Sequence, residues 1–178
     1  MQTLVVLALK VESQGLFEAS GFHPLYCGVG AVKATHNLTK WIFEHKPKQV
    51  INLGTAGSHA FKVGQLVECI SFVQRHPHDF FKLPSEKIQA EKLTNLASAV
   101  CGSADFIESA APITPCDVFD MEAYSLAYVC QKMKVPFHSL KFITDASNET
   151  LATDWTANLK FSAESLLNEL RKLKIEKN

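Results

Sequence analysis

The stretch Val50-Ile51-Asn52-Leu53-Gly54-Thr55-Ala56-Gly57-Ser58 joins a short apolar run to a series of small residues. A short, continuous apolar run is typical of a strand that is buried on both faces of a parallel sheet. Ligands of open α/β sheets bind beyond the carboxyl ends of such strands, where small residues let the backbone approach them closely. We therefore predict a buried strand over residues 50–53, followed by a loop that either binds a ligand or is only flexible.

Three further apolar runs alternate with segments of helical periodicity, which is the pattern of an α/β protein. The predicted strands are residues 4–9, 66–72 and 137–143, and the predicted helices are residues 31–44, 123–133 and about 155–173. The sequence after residue 85 fits either a helix that runs to about residue 99 or a short strand over residues 97–102. Because no internal repeat or linker interrupts the pattern, residues 1–178 are predicted to form one domain.

The composition narrows the class of protein. The chain has 178 residues, 47% of them hydrophobic, and its 18 basic residues balance 18 acidic ones. This balance lacks the basic footprint of a protein that binds nucleic acid or a membrane surface, so neither partner is expected. The apolar run near the N-terminus is too short for a signal peptide or a membrane span.

The five cysteines are widely spaced and form no CxxC pair. This spacing argues against a zinc site or a disulfide framework and favours a reducing compartment, so we expect a cytoplasmic protein. The segment His76-Pro77-His78-Asp79 lacks further metal ligands nearby, and we expect it to be a surface turn. No metal site is therefore predicted.

A glycine-rich turn, Gly28-Val29-Gly30-Ala31-Val32-Lys33, precedes the first predicted helix. The free N–H groups at such a helix start can receive an anion or another polar ligand. The turn lacks the third glycine of the dinucleotide fingerprint and the Gly-Lys-Ser/Thr of a P-loop. A plain tight turn is the alternative interpretation.

Carboxylates stand at the ends of predicted strands. Glu12 lies just past the first strand, Glu122 lies at a strand-to-helix junction, and Asp145 follows the strand over residues 137–143. Taken singly, each has a structural explanation: solvation for Glu12, the helix dipole for Glu122 and an N-cap for Asp145. Three carboxylates at one edge of a sheet together favour a functional site, in which a carboxylate could accept hydrogen bonds from a sugar diol.

These blocks and their order resemble the nucleoside phosphorylase/nucleosidase superfamily, and most closely its methylthioadenosine/S-adenosylhomocysteine nucleosidase branch. The resemblance rests on residues 8–12, 28–32, 50–57, 102–107, 120–131 and 135–147. It implies a three-layer α/β/α fold around a mixed, partly closed central sheet. It also implies hydrolysis of the N-glycosidic bond of a purine nucleoside, with no metal or organic cofactor.

The resemblance also implies a role for each matching residue. Glu12 would activate the attacking water, and Asp145 would protonate or hydrogen-bond purine N7, with Thr144 and Ser147 orienting it. The remaining residues would bind the substrate: Glu122 and Met121 at the ribose, Phe106 and the backbone of Ile107 at the purine, and Thr55, Ala56 and Gly57 around the water and ribose.

The resembling nucleosidases are dimers, so a homodimer is expected here. The chain carries more large apolar side chains than one small domain readily buries, although most of them could belong to the core: Trp41, Phe43, Phe61, Phe72, Phe80 and Phe81.

Two alternatives to a hydrolase follow from the same resemblance. A phosphorylase would hold phosphate with arginines, yet the glycine-rich loops contain none, and among the two arginines only Arg75 could approach the site. Lys33 or His59 could partly substitute. A hydrolase of a futalosine-type nucleoside and a trimmed, non-catalytic nucleoside-binding relative also remain open.

The chain departs from the family pattern in two ways. It is several dozen residues shorter, with losses after Glu12 and between Asp79 and Ala97, and this shortening puts activity and substrate in question. In addition, Asp120 stands where glutamate is usual and Lys141 where arginine is common.

Overall fold

The computed structural model describes residues 3–76, 86–106, 114–146 and 151–175. The strands are β1 (Thr3–Leu7), β2 (Leu25–Tyr26), β3 (Gln49–Ser58), β4 (Leu66–Gln74), β5 (Ile88–Gln89), β6 (Ala97–Ser103), β7 (Val118–Asp120) and β8 (Phe137–Asp145). The helices are α1 (Lys10–Ser13), α2 (Leu16–Ala19), α3 (Ala31–His45), α4 (Ala123–Met133) and α5 (Leu151–Lys172).

All of the strands belong to one mixed sheet that closes on itself in part. Strand β3 pairs with β8 in parallel, and β8 pairs with β4 in antiparallel orientation. The circuit continues from β4 through β6 to β7, which returns to β3. Strands β1 and β2 extend the sheet beyond β3, and β5 extends it beyond β4. The partly closed, mixed sheet expected from the resemblance is therefore confirmed.

Helices cover both faces of this sheet. On one face, α3 and α4 bury Leu38 and Leu126 in one apolar cluster. On the other face, α5 lies beside α1 and α2, and its apolar residues are buried at spacings of three and four: Leu159, Ala163, Leu166, Leu167 and Leu170. The result is the predicted three-layer α/β/α arrangement. In the described part of the chain, no helix is both long and apolar enough to cross a bilayer.

Strand β3 is longer than its apolar run predicts. The segment after Leu53 was expected to be a loop, but it remains a strand as far as Ser58. It keeps its pairing with β8 up to Gly57, which lies opposite Asp145, and it also pairs with β7. Polar and small residues can extend a strand when both neighbours supply hydrogen-bond partners, and a count of apolar residues does not detect this.

The structure also decides between the two interpretations of the segment before Ser103. Residues 97–103 form β6, which pairs with β4 and β7, so the strand alternative is confirmed. The prediction of a helix over residues 85–99 is wrong for the described residues of this range, because they contain the short strand β5 and the start of β6. The segment of residues 77–79, with its candidate surface turn, lies outside the described residues.

Two very short helices, α1 and α2, follow β1 in the region where the chain is shortened. Between them Gln14 and Gly15 have positive φ angles, which reverse the chain direction. Glu18 then fastens the segment, because it accepts hydrogen bonds from Ser13 Oγ and from Tyr26 Oη. Burial and the bond to Glu18 raise the pKa of Tyr26 to about 12, so Tyr26 keeps its donor proton at neutral pH.

Candidate active site

A cavity of about 340 Å³ opens at the carboxyl ends of the parallel strands β1, β3 and β8. Nine of the ten residues predicted for the site line this cavity: Glu12, Thr55, Ala56, Gly57, Phe106, Met121, Glu122, Thr144 and Asp145. The tenth, Ile107, lies outside the described residues. The structure thus brings the predicted site residues together around one cavity, and their individual roles stay a proposal.

Glu12 is held in the cavity wall by three backbone and side-chain donors. Its Oε2 atom accepts a hydrogen bond from Leu9 N at 2.9 Å. Its Oε1 atom accepts from Thr55 N at 3.2 Å and from Thr55 Oγ1 at 3.0 Å. Only 5% of Glu12 is exposed. Despite the shortened segment that follows it, the carboxylate is fixed at the end of β1.

Asp145 is the last residue of β8 and is also buried. Thr144 Oγ1 donates a hydrogen bond to Asp145 Oδ2 at 2.8 Å, as expected from the sequence. Ser147, the other expected partner, lies outside the described residues. Asn158 on α5 donates to the carbonyl oxygen of Thr144 at 3.0 Å and so fastens this end of β8 to the helix.

Glu122 occupies the N-cap position of α4, but its side chain does not cap that helix. Instead, Glu122 Oε1 accepts a hydrogen bond from Gly30 N at 2.9 Å. The next amide, Ala31 N, donates to Asp105 Oδ1 at 2.7 Å. The glycine-rich turn therefore does receive anions, but they are carboxylates of this chain. Gly30 has a φ of +90°, and a Cβ there would lie 2.9 Å from Asp105 Oδ1, so glycine is required.

Burial and the neighbouring charge of Asp120 raise the pKa of Glu122 to about 7, against the opposing effect of Lys141. A carboxyl group whose pKa is raised by folding stabilises the folded state at low pH. That contribution is fully present below pH 4.5, the ordinary pKa, and is lost as the pH rises through about 7. Glu122 is therefore a pH-dependent element of stability as well as a wall of the cavity.

We expect Glu122→Gln to become more stable relative to the wild type as the pH rises from 5 to 8. Glutamine keeps an acceptor for Gly30 N and carries no charge, so the gain in free energy of unfolding is about 2–3 kcal/mol. Urea unfolding at both pH values measures it. In Glu18→Gln the difference from wild type should stay constant over this range. Burial alone would raise the Glu18 pKa, but the hydrogen bonds from Tyr26 and Ser13, its backbone hydrogen bond and the charge of Lys10 together lower it. If the free energy of unfolding of both variants changed with pH in the same way, the raised pKa would not belong to Glu122.

The two residues that differ from the family pattern, Asp120 and Lys141, form an ion pair in the cavity wall. Lys141 Nζ lies 2.8 Å from Asp120 Oδ2, and each side chain is 2% exposed. Burial alone would raise the pKa of Asp120, but the charge of Lys141 and hydrogen bonds including one from Ser103 hold it below its usual value. A Cβ at Gly54 would lie 3.4 Å from both Lys141 Nζ and Glu12 Oε1, so these two charges flank the same glycine.

Aromatic rings and an arginine form another wall. The Arg75 guanidinium carbon lies 5.3 Å from the centre of the Phe106 ring and 5.4 Å from that of Phe119. Arg75 Nε donates to the carbonyl oxygen of Gly102 at 3.1 Å. A Cβ at Gly102 would lie 2.8 Å from the Arg75 side chain and 2.5 Å from Cys116 Sγ, so no larger residue fits there. Arg75 thus supports Phe106, the residue expected to stack on the purine.

Trp155 is a cavity residue that the sequence analysis did not identify. It lies in the second turn of α5 and donates a hydrogen bond from Nε1 to Thr55 Oγ1 at 2.9 Å. The sequence did indicate that this part of α5 could reach the cavity, because α5 begins within a few residues of Asp145 and its first turns must pass near the end of β8.

The charges at the cavity bear on which nucleophile could enter it. The lining carries four carboxylates, of Glu12, Asp120, Glu122 and Asp145, and its cations within the described chain are Arg75 and Lys141. The substitutes considered for a phosphate site, Lys33 and His59, do not line the cavity. Among the described residues, no three His, Cys, Asp or Glu side chains are grouped as metal ligands would be.

Comparison with known proteins places the chain among nucleosidases, although no family model matches it. The 5'-methylthioadenosine/S-adenosylhomocysteine nucleosidase of Actinobacillus succinogenes is 30% identical over 156 residues, which is 70% of this chain and 67% of that protein. The aminodeoxyfutalosine nucleosidase of Helicobacter pylori is 25% identical over 199 aligned positions, which is 95% of this chain and 86% of that protein.

Solved structures agree on the fold. A Helicobacter pylori 5'-methylthioadenosine/S-adenosylhomocysteine nucleosidase with butyl-thio-DADMe-Immucillin-A has a TM-score of 0.82, at 22% identity and 97% coverage of both chains. The futalosine hydrolase of the same species has a TM-score of 0.82 at 23% identity and the same coverage. From the sequence relatives and this shared fold, the chain belongs to the 5'-methylthioadenosine/S-adenosylhomocysteine nucleosidase family within the nucleoside phosphorylase/nucleosidase superfamily.

Proposed function

We propose that this protein hydrolyses the N-glycosidic bond of a purine nucleoside of the methylthioadenosine or S-adenosylhomocysteine type and releases the free base. The observation that carries the proposal is the presence of Glu12, Glu122 and Asp145, from three different strand ends, on one cavity. The names of the sequence relatives support the same reaction.

The reaction breaks a C–N bond through an oxocarbenium-like state, which requires a protonated leaving group, a positioned water and support for the sugar. Carboxylates in different environments can divide these tasks. Glu12 is the base that takes a proton from water, and Asp145 is the acid at purine N7. Glu122 binds the ribose hydroxyls, with Met121 packed beside the sugar. Phe106 stacks on the base.

The charge of the cavity favours water over phosphate as the nucleophile. A phosphate dianion beside Glu12 would be repelled by a like charge, whereas a neutral water would not. The Lys141 ammonium is already paired with Asp120. Arg75 is buried between two phenyl rings and bonded to Gly102.

A futalosine-type nucleoside is the second candidate substrate. The Helicobacter pylori aminodeoxyfutalosine nucleosidase aligns over 95% of this chain, a larger share than the Actinobacillus succinogenes protein. Both candidates require the same bond cleavage and differ in the substituent at the 5' carbon of the sugar. The choice between them therefore depends on the 5' side of the cavity rather than on Glu12 and Asp145.

A screen for free-base release in phosphate-free buffer tests the function. Methylthioadenosine, S-adenosylhomocysteine, aminodeoxyfutalosine and inosine are compared, with Asp145→Asn as the control for contaminating enzymes. Adenine release that does not increase on adding phosphate supports the hydrolase. Strict dependence on phosphate, with ribose 1-phosphate as product, would replace it with a phosphorylase. Adenine binding without release from any nucleoside would indicate the non-catalytic alternative.

The proposal extends to a homodimer formed through α3. Its side chains Val32 and Phe43 are 80% and 77% exposed and border a groove along the helix. The other large apolar residues considered for an interface differ in position. Phe72 belongs to the core, Trp41 and Phe61 are partly buried against it, and Phe80 and Phe81 lie outside the described residues.

We expect the wild type to sediment at micromolar concentration as a dimer, with twice the chain mass of 19.7 kDa. The variant Phe43→Glu should sediment as a monomer. The introduced carboxylate would be buried in the interface without an opposite charge, and this makes the free energy of association less favourable by several times the thermal energy. Phe161→Glu, at an exposed phenylalanine of α5, is the matched control and should stay dimeric. A monomeric wild type at this concentration would contradict the proposed homodimer.

A cytoplasmic location is part of the same proposal. The four buried cysteines, Cys27, Cys69, Cys101 and Cys130, are free thiols in the structure. Burial raises the pKa of Cys27 and of Cys130 to about 12, which keeps both protonated and unreactive. Free thiols of this kind suit a reducing compartment.

A further inference from the structure

Trp155, Thr55 and Glu12 form a chain of hydrogen bonds along one wall of the cavity. Trp155 Nε1 lies 2.9 Å from Thr55 Oγ1, which in turn lies 3.0 Å from Glu12 Oε1. An indole nitrogen can only donate, and an ionised carboxylate can only accept. The single hydroxyl proton of Thr55 must therefore point towards Glu12, and the direction of the whole chain is fixed from Trp155 to Glu12.

We propose that Trp155 is a positioning residue for Glu12, and this inference rests on the proposed role of Glu12 as the base. Without the indole donor, the Thr55 hydroxyl could rotate and give its proton to another acceptor. With it, one lone pair of Oγ1 is occupied and the proton is directed at Oε1. Hydrogen bonds in such a chain also strengthen one another in a low-dielectric site.

The consequence for Glu12 is that most of its acceptor positions are filled. A carboxylate offers about four lone-pair positions. Leu9 N, Thr55 N and Thr55 Oγ1 occupy three of them. About one position is left for the attacking water, so the donors determine where that water can be held.

Helix α5 is itself anchored at this point, which lets it act as a support. Asn158 Nδ2 donates to the carbonyl oxygen of Thr144, three residues along α5 from the indole of Trp155. The same helix therefore contacts β8 beside Asp145 and β3 at Thr55. It links the end of β8, which carries the proposed acid, to Thr55 of β3, which donates to the proposed base.

Trp155→Phe tests the inference, because it keeps an aromatic ring and removes the donor. We expect kcat to fall about five- to tenfold, the effect of one hydrogen bond, while KM stays within about twofold. In a Thr55→Val background, where no hydroxyl is left to orient, Trp155→Phe should lower kcat no further. Trp41→Phe is the matched control, since Trp41 stacks on His45 away from the cavity.

A second measurement does not depend on activity. The chain has two tryptophans, so two indole N–H signals are expected by NMR. The Trp155 signal should be protected from hydrogen exchange, and Thr55→Val should remove that protection while leaving the Trp41 signal unchanged.

The outcomes separate this inference from the proposed function. An active wild type with unchanged kcat in Trp155→Phe would overturn the inference alone. An equal fall of kcat in both backgrounds would also overturn it, because Trp155 would then act on the substrate directly. A wild type that releases no base from any nucleoside, with its indole proton still protected by Thr55, would instead overturn the proposed function.

Discussion

Glu12→Gln is expected to lower the rate of base release by about 10²–10⁴-fold, the contribution of a positioned general base. Glutamine nearly matches glutamate in shape but cannot take a proton from water. It also places an amide group opposite donors, because Leu9 N and Thr55 N both point at the carboxylate. Binding of free adenine should change little, since Phe106 and Asp145 are the groups proposed to hold the base. Initial rates and calorimetric titration with adenine measure the two quantities.

Glu18→Gln provides the control for this experiment. Glu18 lies six residues further along the same shortened segment, and it contacts Ser13 and Tyr26 rather than the cavity. Its replacement perturbs the same part of the chain without removing a proposed catalytic group. Full activity in Glu12→Gln would remove Glu12 from the mechanism and leave the hydrolase proposal standing.

Asp145→Asn should lower turnover by about 10²–10⁴-fold, because asparagine keeps the shape of the side chain and has no proton to transfer. The loss should depend on the leaving group. A riboside with a nitrophenolate leaving group needs little protonation, so it should be far less affected than methylthioadenosine.

The comparison of the two substrates measures the role directly. Asp154→Asn, on α5 and outside the cavity lining, is the matched control. An equal loss on both substrates would show that Asp145 acts in some way other than protonating the base.

The sequence was sufficient to predict which carboxylates meet. Glu12 and Asp145 follow strands that are apolar enough to recognise, and parallel strands bring their carboxyl ends to one edge. Glu122 was found because it stands where a strand gives way to a helix. These predictions rest on local patterns and on one topological rule, so they needed no knowledge of side-chain directions.

The contacts that complete the site could not be predicted in this way. Glu122 bonds to Gly30, which is 92 residues away in the chain, and Trp155 bonds to Thr55, which is 100 residues away. Both depend on strand register and on the rotation of a helix about its axis. Apolar periodicity indicates the buried face of a helix or strand, but not which residue of a distant element lies opposite a given side chain. The extension of β3 beyond Leu53 was missed for a related reason, because its partners β7 and β8 come much later in the sequence.

The buried pair of Asp120 and Lys141 also constrains how this protein can have diverged from its relatives. The family resemblance leads us to expect glutamate and arginine at these two positions, and each is larger than the residue found here. Both side chains also line the cavity, so a longer partner would have to extend into the cavity or shift the ion pair. Loss of one charge costs about 3–5 kcal/mol, a large part of the 5–15 kcal/mol by which domains are stable. Each residue of this pair can therefore be replaced without a large loss of stability only if an opposite charge stays within reach of its partner, so the two positions are energetically coupled.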